Sequence, residues 1–368
     1  MKLELSAFSN LLQVPAMFEV VGSSQAAFDK IDAWPYLATQ RQNVLILCGA
    51  GGTTRRIAER FAAYFQAEVD PEVRLHEIGA ASLRESRGVD ALCAQEGVTL
   101  LVAIGGGKVV DTAKMVVRQR NIALLCIPSA LSSDGITSPV AVLADDEGRV
   151  QSLPAGIPSY VLVDLSITTQ APVALTLSGI GDILSNVSAL LDVDEYEARG
   201  AGRVNGFAKL LSHSACQMVF PLTRAEVESP DGQEAVARAL ILSGLSMAFA
   251  GNSLPCSGGE HLISHALDHL GYGTGTHGLQ VAITTLYCLS LRRILGRPAG
   301  GADVRQTMAR LGLPMRPEEI GVSRREFMEA LRVAPDMRRG RITILQARPD
   351  EGALEAAYDH AFAGELVR

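Results

Sequence analysis

At 368 residues the chain has the length of about two domains, and its 48% hydrophobic content can supply their cores without staples. A net charge of -7 and a pI near 5.6 exclude a nucleic-acid partner, since such binding rests on clustered Lys and Arg. Cys48, Cys93, Cys126, Cys216, Cys256 and Cys288 stand far apart with no CxxC pair, which reads as reduced thiols. The start of the chain, with Glu4 and Asn10 among its apolar residues, lacks the grammar of a leader, and no run of about 18 apolar residues occurs; a cytoplasmic protein with no membrane insertion is expected.

Up to Asp164, short apolar runs alternate with helix-length segments. The runs cover 44–48, 73–78, 99–104, 122–127 and 160–163, rich in Val, Ile and Leu on both faces, as parallel strands between helix layers are. Residues 140–152, with Asp145-Asp146-Glu147-Gly148 at the centre, predict a hairpin. Beyond Asp164 the period becomes helical, over 180–191, 235–250, 279–295 and 354–366. The expected fold is an α/β nucleotide-binding domain with an open, mostly parallel sheet over 1–165, followed by an all-α domain over 166–368. A cleft between them is the default place for ligands.

The run 99–104 ends in Gly105-Gly106-Gly107-Lys108-Val109-Val110-Asp111, where a helical pattern begins. Bare backbone and the free N–H groups of a helix start suit a pyrophosphate, and an ordinary strand-to-helix turn looks the same. The earlier Gly49-Ala50-Gly51-Gly52 loop fits a dinucleotide motif less well; Arg55 and Arg56 behind it can meet a 2′-phosphate or simply face solvent. The next run leads to Ser129-Ala130-Leu131-Ser132-Ser133-Asp134-Gly135-Ile136-Thr137-Ser138-Pro139. Its hydroxyls and amides can hold a nicotinamide or its ribose, and Asp134 can accept a substrate hydroxyl, although these are also the residues any turn prefers. Both segments leave the C-terminal ends of predicted strands, where open α/β sheets bind ligands.

In Ser257-Gly258-Gly259-Glu260-His261-Leu262-Ile263-Ser264-His265-Ala266-Leu267-Asp268-His269, His261 and His265 share one helix face, and a glycine-rich connection brings His277 back nearby. Upstream, Gly179-Ile180-Gly181-Asp182 places a carboxylate at the start of an apolar helix. Asp182, His261 and His277 would form a three-ligand site with an open position, as a catalytic divalent metal requires. The plainer alternative makes Asp182 a helix cap and His265 a packed, hydrogen-bonded histidine.

Together, GGGKVVDTAK, IPSALSSDGITSP, GIGDILSN, SGGEHLISHALDH and HGLQVAI resemble, in order and spacing, the sn-glycerol-1-phosphate dehydrogenases of the dehydroquinate synthase-like, iron-containing alcohol dehydrogenase superfamily; RITIL at 341–345 resembles a C-terminal element of the same family. The resemblance implies Asp182, His261 and His277 as ligands of one divalent metal, with Zn2+ expected and Fe2+ or Ni2+ as alternatives. It implies that Asp134, Asp182 and His265 act on the substrate and that Gly106, Gly107, Lys108, Val109, Val110, Asp111, Ser129, Ser132 and Ser138 hold NAD or NADP. Asn186 stands where some relatives of the superfamily carry a further histidine.

Three positions depart from the family pattern: Leu254 for an arginine, Ser133 for a histidine and Leu279 for a glutamate. All are expected around the substrate pocket. The implied reaction is NAD(P)-dependent, metal-assisted reduction of a small polar carbonyl such as dihydroxyacetone phosphate to sn-glycerol 1-phosphate. The alternatives are a different small alcohol or aldehyde, a dehydroquinate synthase-like lyase or cyclase, and an inactive binding protein. The partner implied is a small molecule, with a homo-oligomer left open.

Overall fold

A computed structural model describes residues 17–34, 37, 42–68, 72–273, 275–338 and 340–362. Glu4 and Asn10, and the last residues of the helix expected over 354–366, lie outside them. The N-terminal half is built on six parallel strands: β1 (Met17–Val21), β2 (Val44–Gly49), β3 (Arg74–Ile78), β4 (Leu100–Gly105), β5 (Ala123–Pro128) and β8 (Tyr160–Asp164). Their order across the sheet is β1-β8-β5-β4-β2-β3. The central strands are buried on both faces, which is why they read as unbroken apolar runs. The chain runs outward from β2 to β3 and then returns to the other side of β2 to form β4. This reversal opens a crevice at the C-terminal ends of β2 and β4, where both glycine loops emerge.

Helices α1 (Ser24–Ala33), α2 (Gly52–Glu68), α3 (Leu83–Glu96) and α4 (Gly107–Gln119) connect the strands. The expected hairpin is present as β6 (Val140–Ala144) and β7 (Val150–Pro154), with Gly148 at φ 81° closing its turn. Strand β1 was not among the expected runs. Among the described residues it pairs only with β8, and its Phe18 is 41% exposed, so the edge position removes the apolar signature of the inner strands.

The helical half consists of α5 (Val173–Ala198), α6 (Gly206–Val219), α7 (Pro230–Ala250), α8 (Gly259–His269), α9 (His277–Ile294), α10 (Ala302–Leu311), α11 (Arg324–Val333) and α12 (Glu351–Phe362), with short turns between. Helix α5 is long and apolar enough to cross a membrane by length and composition alone, yet 72% of that window is buried inside the protein, as a core helix requires. The core around α5 also takes in Val110, Cys126, Leu131, Val161 and Val163 from the α/β half. The two halves therefore meet across packed side chains, and the site lies where this contact opens. All six cysteines are free and buried.

Candidate active site

Asp182 lies well inside α5, which begins after Pro172, and not at a helix start as its glycine-rich flank suggested. The glycines serve close packing. A Cβ on Gly181 would lie 2.4 Å from the Gly278 carbonyl oxygen, and one on Gly278 would lie 1.9 Å from that of Ser178. Their absence lets α5 and the first turn of α9 meet backbone to backbone, which brings Asp182 to His277. Asp182 is thus no cap for its own helix. Its Oδ2 accepts the N–H of Asp134 across the junction of the two halves, at 3.0 Å.

His261 comes from the first turn of α8. Gly258 leaves no room for a side chain, since a Cβ there would lie 2.5 Å from Asp192 Oδ2; Gly258 donates its N–H to Glu260, and Gly259 donates to Asp192 Oδ2 of α5 at 2.8 Å. These carboxylates satisfy amides that the helix start leaves free. Glu260 also lies 3.1 Å from His261 Nδ1, which turns Nε2 of the same ring toward Asp182 Oδ1, 3.5 Å away. A carboxylate behind the distal ring nitrogen is the usual device for fixing the orientation of a metal-binding histidine.

Asp182, His261 and His277 offer one oxygen and two nitrogens that all lie within 4.8 Å of one another. This is the donor chemistry and spacing of a catalytic site for zinc or a similar divalent ion. The ring centroids of His265 lie 6.3 Å from His261 and 6.1 Å from His277, so it borders the trio. His269 is exposed at the end of α8 and does not join. Burial works against charge on His261, yet its hydrogen bonds to Asp182 and Glu260 prevail and lift it to about 9. Burial, with His277 and His261 as neighbours, holds His265 well below the ordinary histidine value. Burial raises and the His261 hydrogen bond lowers Asp182, with a net result below the ordinary carboxylate value.

Asp134 opens the short turn after β5, where Ser133 caps Gly135. Its Oδ2 accepts from Ser243 of α7 at 2.8 Å, and burial followed by the nearby Asp182 pushes it up to about 7. Ser243 in turn receives Asn186 Nδ2 at 3.1 Å, so Asn186 supports Asp134 through a hydroxyl. Asp134, Asp182, His261, His265 and His277 line one cavity of about 90 Å³, shared with Asp111, Ser138, Met247 and Arg338.

The expected dinucleotide residues divide by position. Gly105 is required for packing, since a Cβ there would lie 2.7 Å from the Val109 side chain; a Cβ on Gly106 or Gly107 would meet nothing within 4 Å. Bare backbone therefore faces open space at the start of α4, the geometry a pyrophosphate site would require. Lys108 is exposed and donates to the Gly79 carbonyl at 3.2 Å. Val109 and Val110 are buried in the core, which leaves only their backbones near the crevice. Asp111 is committed to Lys114 and to the Val142 N–H, at 3.0 Å each. Ser129 lines a neighbouring cavity of about 390 Å³ with Thr53, Arg56 and Arg60, whereas the Ser132 carbonyl is tied to Ser178 and Ser138 faces the metal-side cavity. Arg55 is paired with Glu59 and Glu77, so of the two arginines behind the first loop only Arg56 reaches a cavity.

The three departures do not all surround the pocket. Ser133 lines it. Leu254 packs beside Val193, Val204 and Ala208 in a separate small cluster, and Leu279 packs against the main helical core. Ser243 and Arg338 were missed in the sequence. Ser243 carries no signal beyond a polar residue in an apolar helix, and Arg338 belongs to a basic stretch that reads as solvated.

Residues 29–172 match the family model for iron-containing alcohol dehydrogenase. The chain is 34% identical to a glycerol-1-phosphate dehydrogenase [NAD(P)+] of Archaeoglobus fulgidus, over 76% of this chain and 79% of that protein. It is 33% identical to one of Methanospirillum hungatei, over 86% and 84% respectively. In fold it is similar to a glycerol dehydrogenase of Schizosaccharomyces pombe, with a TM-score of 0.75, 19% identity and coverage of 95% and 90% of the two chains. A probable glycerol dehydrogenase of Sinorhizobium meliloti superimposes with a TM-score of 0.73, 22% identity and coverage of 96% and 99%. With a parallel sheet whose glycine loops open at the strand-order reversal and a helical half that gathers the Asp-His-His trio, the chain belongs to the glycerol-1-phosphate dehydrogenase family of NAD(P)-dependent oxidoreductases, within the iron-containing alcohol dehydrogenases.

Proposed function

We propose that the protein catalyses the reversible reduction of dihydroxyacetone phosphate to sn-glycerol 1-phosphate with NADH or NADPH, in the cytoplasm. The observation that carries this reading is the convergence of Asp182, His261 and His277 in one cavity with Asp134 and His265. The names of the relatives supply the substrate. The trio would hold one divalent ion, zinc by its donor set, and the open backbone at Gly106 and Gly107 would receive the pyrophosphate. When bound, the ion supplies a Lewis acid that polarises a carbonyl oxygen, and the nicotinamide supplies the hydride.

The chain's own residues do the rest. Glu260 holds the His261 ring through Nδ1 and so keeps Nε2 available. Asp134, anchored through Oδ2, offers Oδ1 to a hydroxyl of the substrate. His265 borders the trio, and its ring would relay a proton to or from the substrate oxygen through water. The reading is tested by following NAD(P)H absorbance with metal-loaded protein across triose phosphates and neutral alcohols. Saturable reduction of dihydroxyacetone phosphate, better than of any other carbonyl offered, is expected; a neutral alcohol or aldehyde used more efficiently overturns the substrate.

A further inference from the structure

Arg338 and Arg341 lie between α11 and the turn Ile344–Ala347, and neither forms an ion pair among the described residues. Their hydrogen bonds run to neutral oxygens. Arg338 Nη1 donates to Ser253 Oγ at 3.0 Å and Arg341 Nη1 to the same hydroxyl at 3.2 Å. Arg341 Nη2 donates to the carbonyls of Ser253, at 3.2 Å, and Ser257. Arg341 Nε is buried with no partner. Burial and then the neighbouring Arg338 push Arg341 down to about 10, and burial also lowers Arg338. Both remain charged at neutral pH. Two cations drawn together away from water, with no carboxylate bound to either, are unfavourable until an anion joins them.

Their position says which anion. Arg338 lines the cavity that holds the Asp-His-His trio and also an adjoining cavity of about 650 Å³, whose wall includes Arg341. Ser253, where the two guanidiniums converge, lines both. We propose that Arg338 and Arg341 bind the phosphate dianion of the substrate at this junction, leaving its carbonyl end directed toward Asp182, His261 and His277. Guanidinium forks match phosphate oxygens in pairs, and two of them neutralise a dianion. The assignment rests on the reading that the substrate is a phosphorylated triose.

Two measurements test it on the metal-loaded enzyme. Calorimetric titration with inorganic phosphate is expected to show binding that weakens roughly ten- to hundredfold in Arg338→Gln and in Arg341→Gln, the loss typical of one charge-assisted hydrogen bond. The ratio of kcat/KM for dihydroxyacetone phosphate to that for dihydroxyacetone is expected to fall by a similar factor. Metal content and thermal melting establish that each variant is folded, and the two substitutions provide independent trials. Phosphate binding undiminished in both variants, or no binding to the wild-type enzyme, overturns the site. If wild-type enzyme prefers a neutral carbonyl while phosphate binding still depends on both arginines, the anion site stands and the substrate reading alone is lost.

Discussion

Glycine does opposite work in the two halves of this molecule. Gly106 and Gly107 leave backbone facing open space at the mouth of the crevice, where a ligand can approach. Gly179, Gly181 and Gly278 face carbonyl oxygens of neighbouring segments, at 2.2, 2.4 and 1.9 Å from where a Cβ would stand, and no room is left. At Gly106 and Gly107 the missing side chain makes a vacancy, and at Gly179, Gly181 and Gly278 it removes one. Substitutions in the first kind of site should alter binding with the fold intact. In the second kind they should alter the fold, and binding only as a consequence.

Gly278→Ala should therefore have the largest effect. Alanine is the better helix former by about 1 kcal/mol, but its methyl group would displace the α5 backbone at Ser178, at a cost of about 3 kcal/mol or more. Because Gly278 adjoins His277, bound metal should fall along with melting temperature. Unchanged melting would show that the two helices separate without penalty, and the contrast between the halves would fail.

His261→Ala and His277→Ala come next and separate the scaffold from its load. Two remaining donors hold a divalent ion poorly, so metal should be lost by more than about a hundredfold in affinity and turnover should vanish, with the circular dichroism spectrum retained. Stoichiometric metal with normal rates in either variant would remove that residue from the ligand set. Gly107→Val acts on the other half. A branched side chain would occupy the phosphate approach and weaken NAD(P)H binding by about tenfold or more, with melting essentially unchanged, since valine is no worse than glycine in a helix and its Cβ meets nothing within 4 Å. Fluorescence titration with unchanged affinity would reduce the loop to a turn.

What could be read beforehand follows from how far apart in sequence the cooperating residues stand. Inner strands such as β2 and β4 announce themselves because both faces are buried, whereas β1, half-exposed at the edge, does not. The histidines were legible because one turn of α8 and a short connection place them together. Asp134 was legible as a site residue through its position after β5, although its anchor was not: Ser243 lies 109 residues away on α7. Arg338 was hidden for the same reason, since 85 residues separate it from Ser253 and only the folded chain reveals that no carboxylate among the described residues meets it.

Leu254 carries the smallest prediction and the sharpest lesson about reading departures from a family pattern. Its place in the sequence, beside Ser253 and just before the SGGEH segment, suggests a pocket residue. Its side chain instead joins Val193, Val204 and Ala208, with Phe249 and Ala250, and is not among the residues that line the cavity. Leu254→Ala should then cost about 1–2 kcal/mol of stability, below the loss for a fully buried leucine, because the residue is only half-buried. The kcat/KM for the preferred substrate and the ratio between phosphorylated and neutral carbonyls should stay as in the wild type. A change in that ratio greater than about threefold, with melting unaffected, would mean that position 254 reaches the substrate and that its departure from the family pattern reshapes specificity directly. Unaltered selectivity with a lowered melting temperature would leave the charge of the pocket to Arg338 and Arg341.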